Sequence, residues 1–384
     1  MQANKMDEKT KIGFIMSHAV PSHLSDYTDI LTYVNYETQY CNCLIGTNYS
    51  PHLYYPYFRP EMETRQHMFG FDVTFVPWRS GAMGRLLSIL QFLSRAKKDG
   101  ISIVHIHGYG IVSDMIGILG RIFGIKTVLQ HHRESCRTMG RIEGSIFGIA
   151  CVFCDKILTV NPFEKEALTK FCNIPPSKTA FVHNMISASF KPLDKRTCKK
   201  KTGVKTEKMV LFAGRLLPEK GLDLVEELIY ETAKNNKDRI SFFIVGEGPM
   251  RKGLEEKISQ RNLNNIVKFV GWVKNSDLVY YYNAADVLIL PSSFKEGFGL
   301  VCVEAIACNT PVVAFENEGT LTSVGADRKV GILARNRDEF KQGVMQVLGK
   351  GFNFDKKHAE KIKELYSKET LRDELIKAYD EILN

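Results

Sequence analysis

PSSFKEGFGLVCVEAIACNTPVVAF, residues 291–315, carries the most specific pattern in the chain. Pro291 to Phe298 is polar and glycine-bearing, Leu300 to Cys308 is small and apolar apart from Glu304, and Pro311 to Phe315 is a short apolar run. The stretch reads as loop, buried helix, buried strand. Gly297 and Gly299 bracket Phe298 where the helix opens, so free N–H groups near Gly299 and Leu300 can meet an anion at the positive helix end. Glu296 sits in the loop and Glu304 more than one turn inside the helix, which puts the two carboxylates at different depths of one pocket. An ionised Glu304 within LVCVEAIAC needs a hydrogen-bonding partner. Sugar or ribose hydroxyls are suitable donors, and a structural bond to backbone is the alternative.

Working outward, short apolar runs at 209–214, 241–246, 267–271, 286–290 and 311–315 alternate with helical patterns, and so do runs at 11–16, 71–76, 102–107, 126–130 and 156–160. Alternation of this kind predicts parallel α/β sheets, here two doubly wound Rossmann-like units in succession. The polar, basic stretch KPLDKRTCKKKTG (191–203) reads as a linker. The expected domains are 1–190, a linker at 191–205, 206–354, and terminal helices at 355–384 that pack back toward the first domain.

The 384 residues, 44% hydrophobic, 25% charged and 10% aromatic, can bury a sizeable core, which excludes extensive disorder and a stapled mini-protein. A net charge of +9 is too small to define a nucleic-acid-binding protein but favours anionic partners such as phosphates or acidic lipid. No apolar run reaches the ~18 residues of a membrane span. The polar start, MQANKMDEKTK, has no signal-type apolar segment behind it, so the expected compartment is cytoplasmic. Nine scattered cysteines read as reduced core thiols, Cys151 and Cys154 included, and no metal-ligand cluster is evident.

In open α/β sheets ligands bind at the carboxyl ends of the strands. In FAGRLLPEKGLDL (212–224) a strand ends in Ala213-Gly214, Arg215 follows, and Lys220 precedes a helix; two cations there could clamp a diphosphate. A surface arginine and a first-turn lysine would give the same pattern. GEGPM (246–250) permits close backbone approach through Gly246 and Gly248, although turn chemistry explains it equally well. VKFVGWV (267–273) ends a strand at Gly271, before Trp272, where exposed backbone could meet a flat ring.

Together FAGRLLPEKG, VGEGP, FVGWV and the 291–315 block resemble the retaining GT-B glycosyltransferases of the large group that includes sucrose synthases and phosphatidylinositol mannosyltransferases. HIHGYG, TVLQHH, ILTVNPFEKEAL and VHNMISASFKP follow in that family's order in the first half. The resemblance implies two Rossmann-like domains facing a central cleft and sugar transfer from a nucleotide-diphosphate sugar to an acceptor hydroxyl. No metal and no cofactor is implied beyond that co-substrate. It further implies that Arg215 and Lys220 bind the pyrophosphate and Glu304 the ribose hydroxyls. Glu296 would hold the transferred sugar, helped by backbone N–H groups around Phe298, Gly299 and Leu300. His132, or His131 if the register is off by one, would face the sugar from the first domain. A nucleotide-sugar epimerase, or a non-catalytic nucleotide-sugar-binding subunit, is the competing expectation.

Two departures concern the loops: SHAVPSHL (17–24) lacks the family's paired glycines, and ENEGTLTSVG follows PVVAF in place of a Gly-Gly form. The acceptor, a carbohydrate or lipid-linked precursor, is expected against the first domain, whose stretch 50–67 reads as an aromatic, basic loop. The helix expected at 78–98 either rests on an anionic membrane surface or faces the core.

Overall fold

The computed structural model describes residues 9–16, 35–57, 65–108, 110–131, 141–236, 239–292, 296–349 and 352–384. The chain divides into two compact units, Met1–His183 with Glu369–Asn384, and Asn184–Lys368. In the first, β1 (Thr10–Met16), β2 (Tyr49–Tyr57), β3 (Arg65–Met68), β4 (Phe71–Pro77), β5 (Ile103–His107), β6 (Lys126–His131), β7 (Lys156–Thr159) and β8 (Thr179–Phe181) form one sheet in the order β3-β4-β2-β1-β5-β6-β7-β8. All neighbours are parallel except the β3–β4 pair. In the second, β9 (Lys208–Ala213), β10 (Ile240–Val245), β11 (Val267–Gly271), β12 (Val287–Leu290), β13 (Val312–Phe315) and β14 (Gly331–Ala334) form a wholly parallel sheet in the order β11-β10-β9-β12-β13-β14. Both are doubly wound α/β sheets, as the alternating runs predict.

The stretch 50–67 is corrected by the structure. Ser50 to Tyr57 is not an acceptor loop but part of β2, paired on both sides, with Tyr54, Tyr55 and Tyr57 buried. Prolines at 51 and 56 disguise the strand, because proline supplies no N–H to a ladder. Its polar side chains are satisfied inside: Tyr54 OH donates to Asp99 Oδ2 at 2.8 Å, and His52 Nε2 lies 2.8 Å from Thr74 Oγ1. Residues 58–64 and the 17–24 loop lie outside the described residues.

Helix Ala82–Lys98 turns Ile89, Phe92, Leu93 and Ala96 into the core. The segment expected to be a linker contains helix Lys195–Thr202. Asp194 caps its first turn, accepting the Thr197 N–H at 2.8 Å, while Lys195 and Lys199 both converge on Asp286. Cys151 and Cys154 are buried, and burial pushes the Cys154 thiol up to about 12. Among the described helices none is long and apolar enough to cross a membrane.

Helix Lys356–Leu365 stays with the second unit, whereas Lys368–Leu383 completes the first. Tyr379 is fully buried there, its hydroxyl 2.6 Å from His105 Nδ1. Glu374 accepts the His183 backbone N–H at 2.7 Å, and Tyr49 donates to Asp380. Replacing Tyr379 by Ala empties a buried aromatic site and is expected to cost about 3–5 kcal/mol. Hydrogen exchange should then accelerate in β1 and β5 and stay unchanged in β9 and β10; equal protection of β5 in the variant would contradict this docking.

Candidate active site at the carboxyl edge of the second sheet

The carboxyl ends of β9, β10 and β11 each open into glycine. Gly214 N–H donates to Val245 O at 3.0 Å and Gly246 N–H to Gly271 O at 2.8 Å, so the three glycines stand side by side. The loops that follow clasp each other: Leu216 N–H bonds Glu247 O at 2.8 Å, and Met250 N–H bonds Leu216 O at 3.1 Å. A Cβ on Gly246 would come within 1.9 Å of Gly214 O, and one on Gly248 within 2.4 Å of Leu216 O. Glycine is required at 246 and 248 because one backbone crosses another there, which is reason enough for the GEGPM pattern without a ligand. Arg215 projects from this clasp, exposed, with no ion pair among the described residues.

Lys220 is positioned by its neighbour. Gly221 adopts φ +69°, and a Cβ there would lie 1.8 Å from Pro291 O, at the end of β12. That contact brings Lys220 beside the loop containing Glu296, and Lys220 Nζ meets Glu296 Oε1 at 2.6 Å. Ser292 Oγ donates to the same oxygen. From the other side Gly319 closes the site: a Cβ on it would lie 2.1 Å from Glu296 O and 2.8 Å from Phe298 N. The ENEG departure thus retains the glycine the packing demands. Its helix, Glu318–Ser323, is held by a capping box between Asn317 and Thr320.

Gly299, at φ +80°, begins helix Leu300–Ala307, and no side chain caps that helix. Its first N–H groups follow the Lys220–Glu296 pair closely in sequence. Phe298 contributes backbone to this loop; its ring is buried, 5.1 Å from that of Tyr366. One turn in, Glu304 is 6% exposed and accepts from Tyr282 OH at 2.6 Å. The partner is not backbone but a tyrosine, 22 residues earlier in the chain. Burial pushes the Glu304 carboxyl up to about 7, against the lowering influence of the Tyr282 bond.

The other candidates sit apart. Trp272 is 58% exposed and lines a cavity of about 520 Å³ with Lys201, Tyr280 and Tyr281, which none of the other candidate residues lines. His131 is buried in the first unit, its ring 4.9 Å from that of Phe147 and its Nδ1 3.6 Å from Glu164 Oε1. His132 lies outside the described residues. Among the described residues no group of three or more His, Cys, Asp or Glu is arranged to hold a metal ion.

With this geometry in hand, the comparisons with known proteins agree on a class. Residues 194–365 match the family model described as glycosyl transferases group 1, and residues 35–190 match glycosyltransferase family 4. Between them these two glycosyltransferase domains span most of the chain. An uncharacterized glycosyltransferase of Methanocaldococcus jannaschii is 30% identical over 200 residues, half of each chain. D-inositol 3-phosphate glycosyltransferase 2 of Catenulispora acidiphila is 31% identical over 194 residues, 48% of this chain and 45% of that one. The chain therefore spans about half the length of the curated relatives it matches. Among solved structures, sucrose-phosphate synthase from Thermosynechococcus elongatus gives a TM-score of 0.79 at 19% identity, covering 98% of this chain and 99% of that one. Anabaena HepE, solved with UDP and glucose, gives 0.73 at 18% identity over 97% and 99%. The fold is GT-B.

The Glu304 environment predicts a pH dependence. A carboxyl whose folded pKa lies above its unfolded value of 4.5 contributes stability that is complete below 4.5 and is lost as pH rises through about 7. The change is about 3 kcal/mol at most. Thermal unfolding between pH 4 and 8 should show this decline in the unliganded protein and a flatter profile in Glu304→Gln. Parallel profiles for the two would contradict the burial of an ionisable Glu304.

Proposed function

We propose that the chain transfers a sugar from a nucleoside-diphosphate sugar to an acceptor hydroxyl, with retention at the anomeric carbon. The observation that carries this is the Lys220–Glu296 pair beside an uncapped helix start, with exposed Arg215 on the same carboxyl edge. An ammonium, a guanidinium and backbone dipoles gathered at one strand edge suit a diphosphate, and a carboxylate among them suits sugar hydroxyls. The matching family models support the transferase class, and a relative's fold solved with UDP and glucose supports the donor class.

In the proposed reaction the bond from the anomeric carbon to the β-phosphate oxygen breaks, and its electron pair leaves with the diphosphate. Arg215, Lys220 and the N–H groups around Gly299 and Leu300 meet that developing charge. The acceptor oxygen bonds to the anomeric carbon on the face the diphosphate left, and its proton passes to the departing phosphate oxygen. Glu296 orients the transferred sugar, and Glu304 takes the ribose hydroxyls. Lys220 and Glu296 neutralise each other before donor arrives, so the diphosphate and the sugar hydroxyls replace a contact that already exists. The positive charge comes from the protein alone, without a divalent cation. The acceptor is a carbohydrate or lipid-linked glycan precursor.

A thermal-shift panel of nucleoside diphosphates and their sugars tests the donor class, since ligand at about 100 times its dissociation constant adds ~2.7 kcal/mol of stability. Arg215→Ala and Lys220→Ala are each expected to lower turnover by about tenfold or more. Near-normal turnover in both would refute the clamp. Turnover should survive EDTA; a loss restored by magnesium would remove the metal-free route. Product analysis of donor with enzyme and no acceptor should show no isomerised sugar, the outcome that would instead favour an epimerase.

A further inference from the structure

A cavity of about 860 Å³ lies within the first unit, lined by the edge strand β8, helix Pro162–Phe171, the turn Pro176–Lys178 and the terminal helix Lys368–Leu383. Among the described strands β8 pairs with β7 alone, so its outer side is left to this cavity. None of the residues used in the transfer reaction lines it.

Four lysines from four segments do: Lys156 from β7, Lys165 from helix Pro162–Phe171, Lys178 from the turn and Lys377 from the terminal helix. Lys156 is only 4% exposed, and an ammonium so buried requires partners. It donates to Ser177 O at 2.8 Å and to the Glu381 carboxylate. Lys178 donates to Val152 O at 2.5 Å and Cys154 O at 3.0 Å, neutral acceptors that leave its charge standing. The Lys156 bond above all, then the Lys377 and Lys165 charges, hold the Glu381 carboxyl below its usual range, so one carboxylate faces ammonium groups from three elements. Glu381 is nevertheless 44% exposed, within reach of a competing anion.

The remaining acids are engaged. Lys126 lies 3.1 Å from Asp155, and Glu374 accepts the His183 backbone N–H at 2.7 Å. Setting Lys126 against Asp155, and Glu374 and Glu381 against two of the four lysines, leaves two positive charges over. The strand edge adds a neutral donor. Val182 N–H bonds Thr159 O of β7 at 3.0 Å and His183 N–H turns the other way to Glu374, so alternation along the chain directs the Phe181 N–H outward from β7.

We propose that this cavity binds a small phosphate monoester, whose phosphate replaces the Glu381 carboxylate against Lys156 and meets Lys165, Lys377 and the Phe181 N–H. The surplus of charge selects the ligand class. A carboxylate would only repeat what Glu381 already does, whereas a phosphate monoester is close to a dianion at neutral pH and carries three acceptor oxygens. The cavity falls within the volume range of small-molecule sites, larger than a bare phosphate needs, and Phe181 and Ile382 give its wall an apolar part for the organic group. Glu381 is then an internal competitor, released from Lys156 when the ligand enters. This site stands independently of the transferase reading.

Isothermal titration of the full chain with phenyl phosphate, inorganic phosphate and phenol tests it. Phenyl phosphate is expected to bind, inorganic phosphate to bind more weakly, and phenol not to bind. Replacing Lys165 and Lys377 together by Ala should weaken phenyl phosphate binding by about tenfold without altering thermal unfolding. Glu381→Gln should tighten it by about fivefold, a gain that a purely structural Lys156–Glu381 pair would not give. Replacing Arg215 and Lys220 together by Ala should leave it unchanged, and amide exchange at Phe181 should slow when phenyl phosphate is bound. No binding of phenyl phosphate, wild-type affinity in both the double lysine variant and Glu381→Gln, or binding lost with Arg215 and Lys220 overturns the proposal. Equal affinity for inorganic phosphate overturns the assignment to a monoester.

Discussion

Backbone brought within contact distance of backbone is the constraint on which the site depends. At the carboxyl edge of the second sheet Gly221 lies against Pro291 O and Gly319 against Glu296 O, and a methyl group at either position would overlap a carbonyl. These two contacts pin the loop after β9 and the helix after β13 to the loop after β12. With the three segments so placed, Lys220 and Glu296 meet at 2.6 Å. The clasp of the 214–216 and 246–248 backbones does the same for Arg215, holding it at the edge while leaving its side chain in solvent.

The electrostatic consequence is a site that is internally compensated before any ligand binds. Lys220 and Glu296 are both largely shielded from water, and removing one would leave the other without its counter-charge. Glu304 is compensated differently, through a single hydrogen bond from Tyr282 in surroundings that disfavour its charge. On the proposed assignment, ribose hydroxyls would add donors to Glu304 and favour its ionised form, so nucleotide binding and deprotonation of Glu304 would support each other. The carboxylates at 296 and 304 thus differ in partner as well as depth.

Much of the fold was legible because parallel strands buried on both faces leave uninterrupted apolar runs, as in the runs at 209–214, 241–246 and 267–271 that became β9, β10 and β11. β2 was hidden by Pro51 and Pro56, and β14, GILA, by its brevity and leading glycine. The Lys195–Thr202 helix was hidden by its lysines, which read as linker until Asp286 is seen to hold two of them. In the site, loop and helix order exposed Glu296, Gly299, Leu300 and Glu304 to sequence reasoning. Tyr282 and Gly319 could not be selected, since their importance arises from segments distant in the chain. The ENEG departure held a signal in its single glycine, one that acquires meaning only once Glu296 is known to pack against it.

The central claim is that one edge of the second sheet receives a nucleoside diphosphate, and a crystal structure of the chain with UDP and, separately, ADP and GDP bound would test it most directly. The account predicts, for whichever nucleotide binds, phosphate oxygens within hydrogen-bonding distance of Lys220 Nζ, the Arg215 guanidinium and the N–H groups at Gly299 and Leu300, with ribose hydroxyls on Glu304. Phosphates bound elsewhere, with the Lys220–Glu296 pair and Arg215 untouched, would contradict it.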